Sequence, residues 1–159
     1  MKRLFLWLGI PLLALYISSN WFQLLMVQGE SMAPSYHNFQ LVVLDRHNRD
    51  FQRGEVAAFW CEGLSCVLLK RIAAVPGDKL VIHDGTLYVN DQVSDIYEEP
   101  GMFAYAGILT TETVLQQGEY LMLGDNAQES KDSRYPEVGI IPEDRIYGCV
   151  LGSSRGSGE

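Results

Sequence analysis

Three stretches of this chain carry side chains with chemical potential. They are Ser31 in Gly29-Glu30-Ser31-Met32-Ala33-Pro34, Lys70 in Val67-Leu68-Leu69-Lys70-Arg71-Ile72, and the polar run from Gly124 to Arg134. A serine hydroxyl is a weak nucleophile until a base takes its proton, so Ser31 needs a partner from elsewhere in the chain. The elbow pattern Gly-x-Ser-x-Gly of Ser-His-Asp hydrolases fails at Ala33, and no helical pattern follows it. His37, His47 and His83 lie in polar or turn contexts and read as solvated side chains. Ser-x-x-Lys is also absent, because Pro34 occupies the position that the lysine would take.

Lys70 interrupts a run that is apolar on both sides, Val67-Leu68-Leu69 before it and Ile72-Ala73-Ala74-Val75 after it. In a strand, alternation puts it on the face of Leu68 and Ile72. Desolvation penalises an ammonium there, so its pKa should fall from about 10.4 toward neutrality and leave an amine able to accept a serine proton. The alternative is a lysine that snorkels to water at a strand edge. The third stretch, Gly124-Asp125-Asn126 through Ser130, Asp132, Ser133 and Arg134, is dense in short hydrogen-bonding groups. Such a loop suits either a solvated turn or a shell that orients a catalytic amine.

Cys61 and Cys66 are separated by four residues, with Cys149 far away. No adjacent histidine or second pair completes a zinc tetrahedron. In an oxidising compartment the two form a local disulfide contributing roughly 2 kcal/mol; otherwise they are free thiols beside a turn.

The 159 residues accommodate one domain with a real core, and the net charge of −8 argues against a nucleic-acid partner. Met1-Lys2-Arg3 is basic and Leu4 to Ile17 carries no charge; counting on to Val27 reaches the length of a membrane span. Residues 1–27 therefore read as a cytoplasmic start and a single transmembrane helix, with Trp21 and Phe22 as interface anchors. A cleaved signal peptide is the rival reading. The basic start places the N-terminus in the cytoplasm and the domain on the other side of the membrane.

Beyond Val27 the pattern is mainly β, with short β-branched and aromatic runs between turn residues. Strands are expected at Gln40–Leu44, Glu55–Trp60, Val67–Ile72, Tyr120–Leu123 and Ile146–Leu151. Asp84-Gly85 should join Leu80–His83 to Thr86–Val89 as a hairpin. Ser94 to Gln117 is weakly patterned and reads as an irregular excursion. The β domain is assigned to residues 28–151, and 152–159 to a flexible polar tail.

Taken together, Gly29-x-Ser31-Met32-x-Pro34, Lys70-Arg71-x5-Gly77-Asp78 and Gly124-Asp125-Asn126 with Ser130-x-Asp132-Ser133-Arg134 resemble the boxes of the type I signal peptidases. These are membrane-bound serine/lysine endopeptidases. The resemblance implies a mostly antiparallel β fold, Ser31 as nucleophile and Lys70 as general base. It further implies that Ser130 hydrogen-bonds the lysine amine, that Asp125, Asp132 and Arg134 organise the loop, and that the Ser31 backbone N–H holds the oxyanion. Some members add a serine hydroxyl two residues before the nucleophile; Gly29 stands there, so backbone donation should carry more of the ~2.7–4 kcal/mol typical of one such donor. Met32 and Pro34 are expected to contact substrate or membrane.

Two departures from the family pattern stand out. The interval between the second and third boxes is short, so a large extra β domain should be missing. Tyr135-Pro136-Glu137-Val138-Gly139 also differs from the usual stretch after the last box. The implied partners are preprotein signal peptides and the lipid bilayer, with no metal or cofactor needed. The implied location is a bacterial inner (plasma) membrane, with the catalytic domain on the periplasmic or extracytoplasmic side. Alternatives are a dedicated processing peptidase of a conjugation, pilus or organelle inner-membrane system, and a non-catalytic membrane-tethered module.

Overall fold

The computed structural model describes residues 21–153. Within them the chain is almost entirely β, with strands β1 Phe22–Met26, β2 Leu41–Asp45, β3 Val56–Cys61, β4 Cys66–Ala74, β5 Lys79–His83 and β6 Thr86–Val89, followed by β7 Gln92–Val93, β8 Thr113–Val114, β9 Glu119–Leu123, β10 Ile141–Pro142 and β11 Ile146–Val150. Two single 3-10 turns, Gly107–Thr110 and Glu143–Arg145, are the only helical elements that break the series among the described residues. Seven strands form one sheet in the order β1-β2-β11-β3-β4-β9-β10, and four form a second in the order β7-β6-β5-β8. Every pairing is antiparallel.

The central strands of the large sheet are apolar on both faces. Along β3, Ala57, Phe59 and Cys61 enter one core cluster with Ile72 and Met122, while Val56 and Ala58 enter another with Met32 and Leu44. This division follows from strand alternation, and burial on both faces explains why β3 reads as a continuous apolar run. The small sheet packs Leu80, Ile82, Leu87 and Val89 against Leu121 and Leu123 of β9. It occupies the interval between the second and third boxes, and the excursion after β7 contributes Tyr97, Phe103 and Leu109 to the same cluster.

The expected hairpin pairs Leu80 with Val89 and His83 with Thr86. Three expectations need correction. The proposed span cannot reach Val27 as helix, because Phe22 to Met26 is a strand whose residues pair one by one with Asp45 to Leu41. Its backbone groups are satisfied by β2, and Leu25 packs on the core while Phe22, Leu24 and Met26 are exposed. The rest of that segment, residues 1–20, lies outside the described residues, among which no helix is long and apolar enough to cross a membrane.

The polar tail is not free from residue 152 onward. Ser153 is buried, its hydroxyl accepts from Val56 N at 3.0 Å, and its carbonyl accepts from Arg71. Residues 154–159 lie outside the described residues. Finally, Cys61 and Cys66 face each other in register across the β3–β4 hairpin, yet both are free thiols. The Cys61 thiol is buried and donates to the Glu137 carbonyl at 3.6 Å.

Candidate active site

The loop between β1 and β2 carries Ser31. Paired backbone bonds close its base, Val27 N to Gln40 O and Phe39 N to Val27 O, both at 2.8 Å. Within it Gly29 has φ +86, a left-handed conformation that suits glycine, and its N–H donates to the Asn38 side chain at 3.0 Å. A turn closed by Ala33 N to Glu30 O follows, so the serine sits at the crest of a loop held at both ends.

Lys70 projects from the middle of β4, opposite Ala57 of β3. Its Nζ donates to Ser31 Oγ at 2.6 Å, across 39 residues of sequence. Only 3% of Lys70 is exposed, and this burial lowers its pKa to about 8 against the opposing pull of Asp132 and Asp125. The snorkelling alternative is therefore set aside. The amine is held inside, in contact with a hydroxyl, and near its titration point at mildly alkaline pH.

The segment after β9 closes the site from the third side. Asn126 N donates to the Ser31 carbonyl at 3.0 Å, which fixes the Ser31 loop to this segment. Asp125 accepts two bonds from Arg71, from Nε at 2.7 Å and from a terminal nitrogen at 2.5 Å, with both side chains almost fully buried. Asp132 and Arg134 form a second buried pair at 2.8 and 2.9 Å. Asp132 also accepts from Gly124 N, while Arg134 donates to the Ala127, Ser130 and Tyr105 carbonyls. The polar run is thus a packed scaffold and not a solvated turn.

Gly124 is where the stretches converge. A Cβ there would stand 2.1 Å from Ser130 Oγ and 2.6 Å from the Ser31 carbonyl, so only glycine admits both.

Most of the expected site residues assemble here, with two corrections. Ser130 Oγ is buried but makes no hydrogen bond to the Lys70 amine or to any other group among the described residues; the amine's proton is directed at Ser31 instead. Met32 is 1% exposed and packs in the core with Val27 and Leu44, so it forms the floor of a cleft and not a membrane-facing contact. Pro34 lines a separate cleft beside the site. All three histidines are exposed, and none hydrogen-bonds to Ser31 or Lys70 among the described residues. No group of three or more His, Cys, Asp or Glu side chains is placed to hold a metal among the described residues.

Sequence reasoning missed the role of Arg71, which anchors Asp125. The available signal was a second cation in the same apolar strand, since a buried guanidinium demands a buried carboxylate. The main cleft, about 300 Å3, runs between Leu25 to Gln28 at the end of β1 and Cys66 to Lys70 of β4, with Ser31 at its end. It is a trough between two strand edges with an apolar lining.

Comparison with known proteins shows the family. The family model described as signal peptidase, peptidase S26, matches residues 1–152. Signal peptidase I of Bacillus licheniformis is 31% identical over 146 residues, spanning 86% of this chain and 78% of the relative. Signal peptidase IB of Staphylococcus aureus is 32% identical over 142 residues, spanning 78% and 73%. The crystal structure of a signal peptidase I from Enterococcus faecalis V583 superposes with a TM-score of 0.48 at 25% identity, covering 62% of this chain and 94% of that one. On the extent of these sequence matches, the chain belongs to the peptidase S26 family of signal peptidases and is a serine protease.

Proposed function

We propose that this protein is a membrane-tethered endopeptidase that removes signal peptides from exported preproteins, with Ser31 as nucleophile and Lys70 as general base. The observation that carries the reading is the 2.6 Å contact between Lys70 Nζ and Ser31 Oγ inside a buried site. In its neutral form the amine offers a lone pair, the hydroxyl donates along the same line, and its oxygen attacks the scissile carbonyl. The Ser31 backbone N–H donates to no other group among the described residues, which leaves it available to the oxyanion. The lysine, now an ammonium, returns the proton to the departing amine and then draws one from the water that hydrolyses the acyl-enzyme.

Ser130 supports the amine in this reading. Its hydroxyl is buried and without a hydrogen-bond partner among the described residues, so bonding to the Lys70 ammonium, which needs a change of side-chain rotamer, would satisfy it once the serine proton has moved. Asp125, Asp132 and Arg134 hold the loop through their two ion pairs.

The apolar main cleft suits an extended signal segment with small residues at the first and third positions before the cut. A bilayer-side location is supported by the uncharged Leu4 to Ile17 and by the outward face of β1–β2, where Leu24, Met26, Leu41 and Val43 are exposed together. The proposed orientation puts the N-terminus in the cytoplasm and the β domain across the plasma membrane.

The decisive experiment incubates the detergent-solubilised full chain with a panel of preproteins, comparing wild type with Ser31→Ala and Lys70→Ala. Wild type should release mature proteins and both variants should fall by at least about 1,000-fold. Cleavage persisting in either variant overturns the mechanism.

A further inference from the structure

A second cleft opens beside the nucleophile. It measures about 400 Å3 and is lined by Ala33 and Pro34, just past Ser31, and by Glu99, Met102, Asn126 and Gln128. Its floor is keyed to the reaction centre, because the same Asn126 donates its N–H to the Ser31 carbonyl. The two clefts differ in chemistry. The main one lies between strand edges and is lined mostly by apolar residues, whereas this one is bordered by amide and carboxylate groups.

A peptide whose scissile bond lies at Ser31 must leave it in two directions. The acyl half, an apolar segment in extended form, matches the trough between β1 and β4, where backbone edges can pair with it. The half beyond the scissile bond then runs toward Ala33 and Pro34. Asp125 also borders this second cleft, but its carboxylate is taken up by Arg71. Glu99 is exposed and has no ion-pair partner among the described residues, so its charge is the one presented to an occupant.

We infer that the second cleft binds the first residues of the mature protein, downstream of the cut, and that Glu99 makes it favour basic over acidic side chains there. This deepens the peptidase reading above and rests on it. The background charge of −8 acts in the same direction. A single carboxylate facing a side-chain charge across ~6 Å of mostly aqueous medium changes binding by about 3- to 10-fold, with the effect fading as salt rises.

The test uses the full chain in detergent and preproteins identical up to the cut. They carry Lys, Gln or Glu at one of the first three positions after it. The readout is the ratio of kcat/KM for the Lys and Glu substrates. Wild type should favour Lys over Gln by about 3- to 10-fold and, since attraction of one charge and repulsion of the other multiply, Lys over Glu by about 10- to 100-fold at one or more positions, with the preference shrinking at high salt. Glu99→Gln should bring the ratio toward one, and Glu99→Lys should invert it. A wild-type ratio near one, or a ratio that Glu99→Lys leaves in place, overturns the assignment of the cleft while the peptidase reading stands. Absence of cleavage for every substrate, or cleavage surviving Ser31→Ala, overturns both.

Discussion

Lys70 Nζ donates a 2.6 Å hydrogen bond to Ser31 Oγ from a position that is 97% removed from solvent, given its 3% exposure. Burial lowers the amine's pKa to about 8, and the carboxylates of Asp132 and Asp125 keep it from falling further. Both the chemistry and the stability of the protein depend on that balance.

In the proposed mechanism the lysine must be neutral to accept a proton, so kcat/KM should rise with pH and reach half its plateau near pH 8. A profile rising only near pH 10 would show the amine to be solvated. Stability carries the same signature. The folded pKa lies below the unfolded value of 10.5, so between about pH 8 and 10.5 the unfolded chain binds more protons and stability increases with pH. Lys70→Met should abolish that rise, worth roughly 3 kcal/mol, in thermal unfolding of the full chain in detergent.

Arg71 and Asp125 are each buried and bonded at two points. Removing one partner strands a charge, so Arg71→Met or Asp125→Leu alone should destabilise by about 3–5 kcal/mol. The double variant should lose much less than the sum. A double-mutant cycle by chemical denaturation measures the difference, and strict additivity would contradict a coupled pair.

Gly124→Ala should reduce cleavage by about 100-fold or more, since the added methyl displaces both Ser130 and the Ser31 carbonyl, and a misplacement of about 1 Å has that effect. Adding Ser130→Gly should not restore activity, because the 2.6 Å conflict with the Ser31 carbonyl remains and the hydroxyl proposed to support the amine is gone. Full restoration would mean that the glycine serves Ser130 alone.

Because Cys61, Cys66 and Cys149 are free, thermal unfolding should be the same with and without reductant, and Cys61→Ala should alter it only through lost packing and the weak bond to the Glu137 carbonyl. Burial and the nearby Glu55 push the Cys149 thiol far above its ordinary pKa, so alkylating reagents should leave it untouched in the native protein. Labelling followed by mass spectrometry should find Cys66, which lines the main cleft, as the reactive thiol.

The strands were legible because their signals are local. The alternation around Asp84-Gly85 and the apolar runs of β3 and β4 needed no tertiary information, and each of the seven expected strands falls within a residue or two of its expected limits, whereas β1 and the two-residue strands β7, β8 and β10 were not anticipated. Residues 22–26 misled because the apolar composition of a membrane span is shared by an edge strand with one face on the core. Lys70 could be singled out because an ammonium in an apolar run has few outcomes. Ser130 and Met32 could not be placed, because hydroxyl direction is set by how the loop folds back on Gly124 and the distant Ser31 carbonyl, and burial depth by the core it shares with β2 and β3. The Arg71–Asp125 pair spans 54 residues, and no spacing rule links its halves.

Lys70 and Arg71 are consecutive on β4, so they point to opposite faces of the sheet, one toward Ser31 and the other toward Asp125. Sliding that strand past β3 by a single residue would bring a guanidinium, permanently protonated, beside Ser31 and leave the carboxylate facing an amine of the wrong reach. The misaligned molecule would be both inert and poorly folded. Neighbouring cations thus act as a two-tooth key, and insertions or deletions in the turn at residues 62–65 should survive only when they leave β3 and β4 in step.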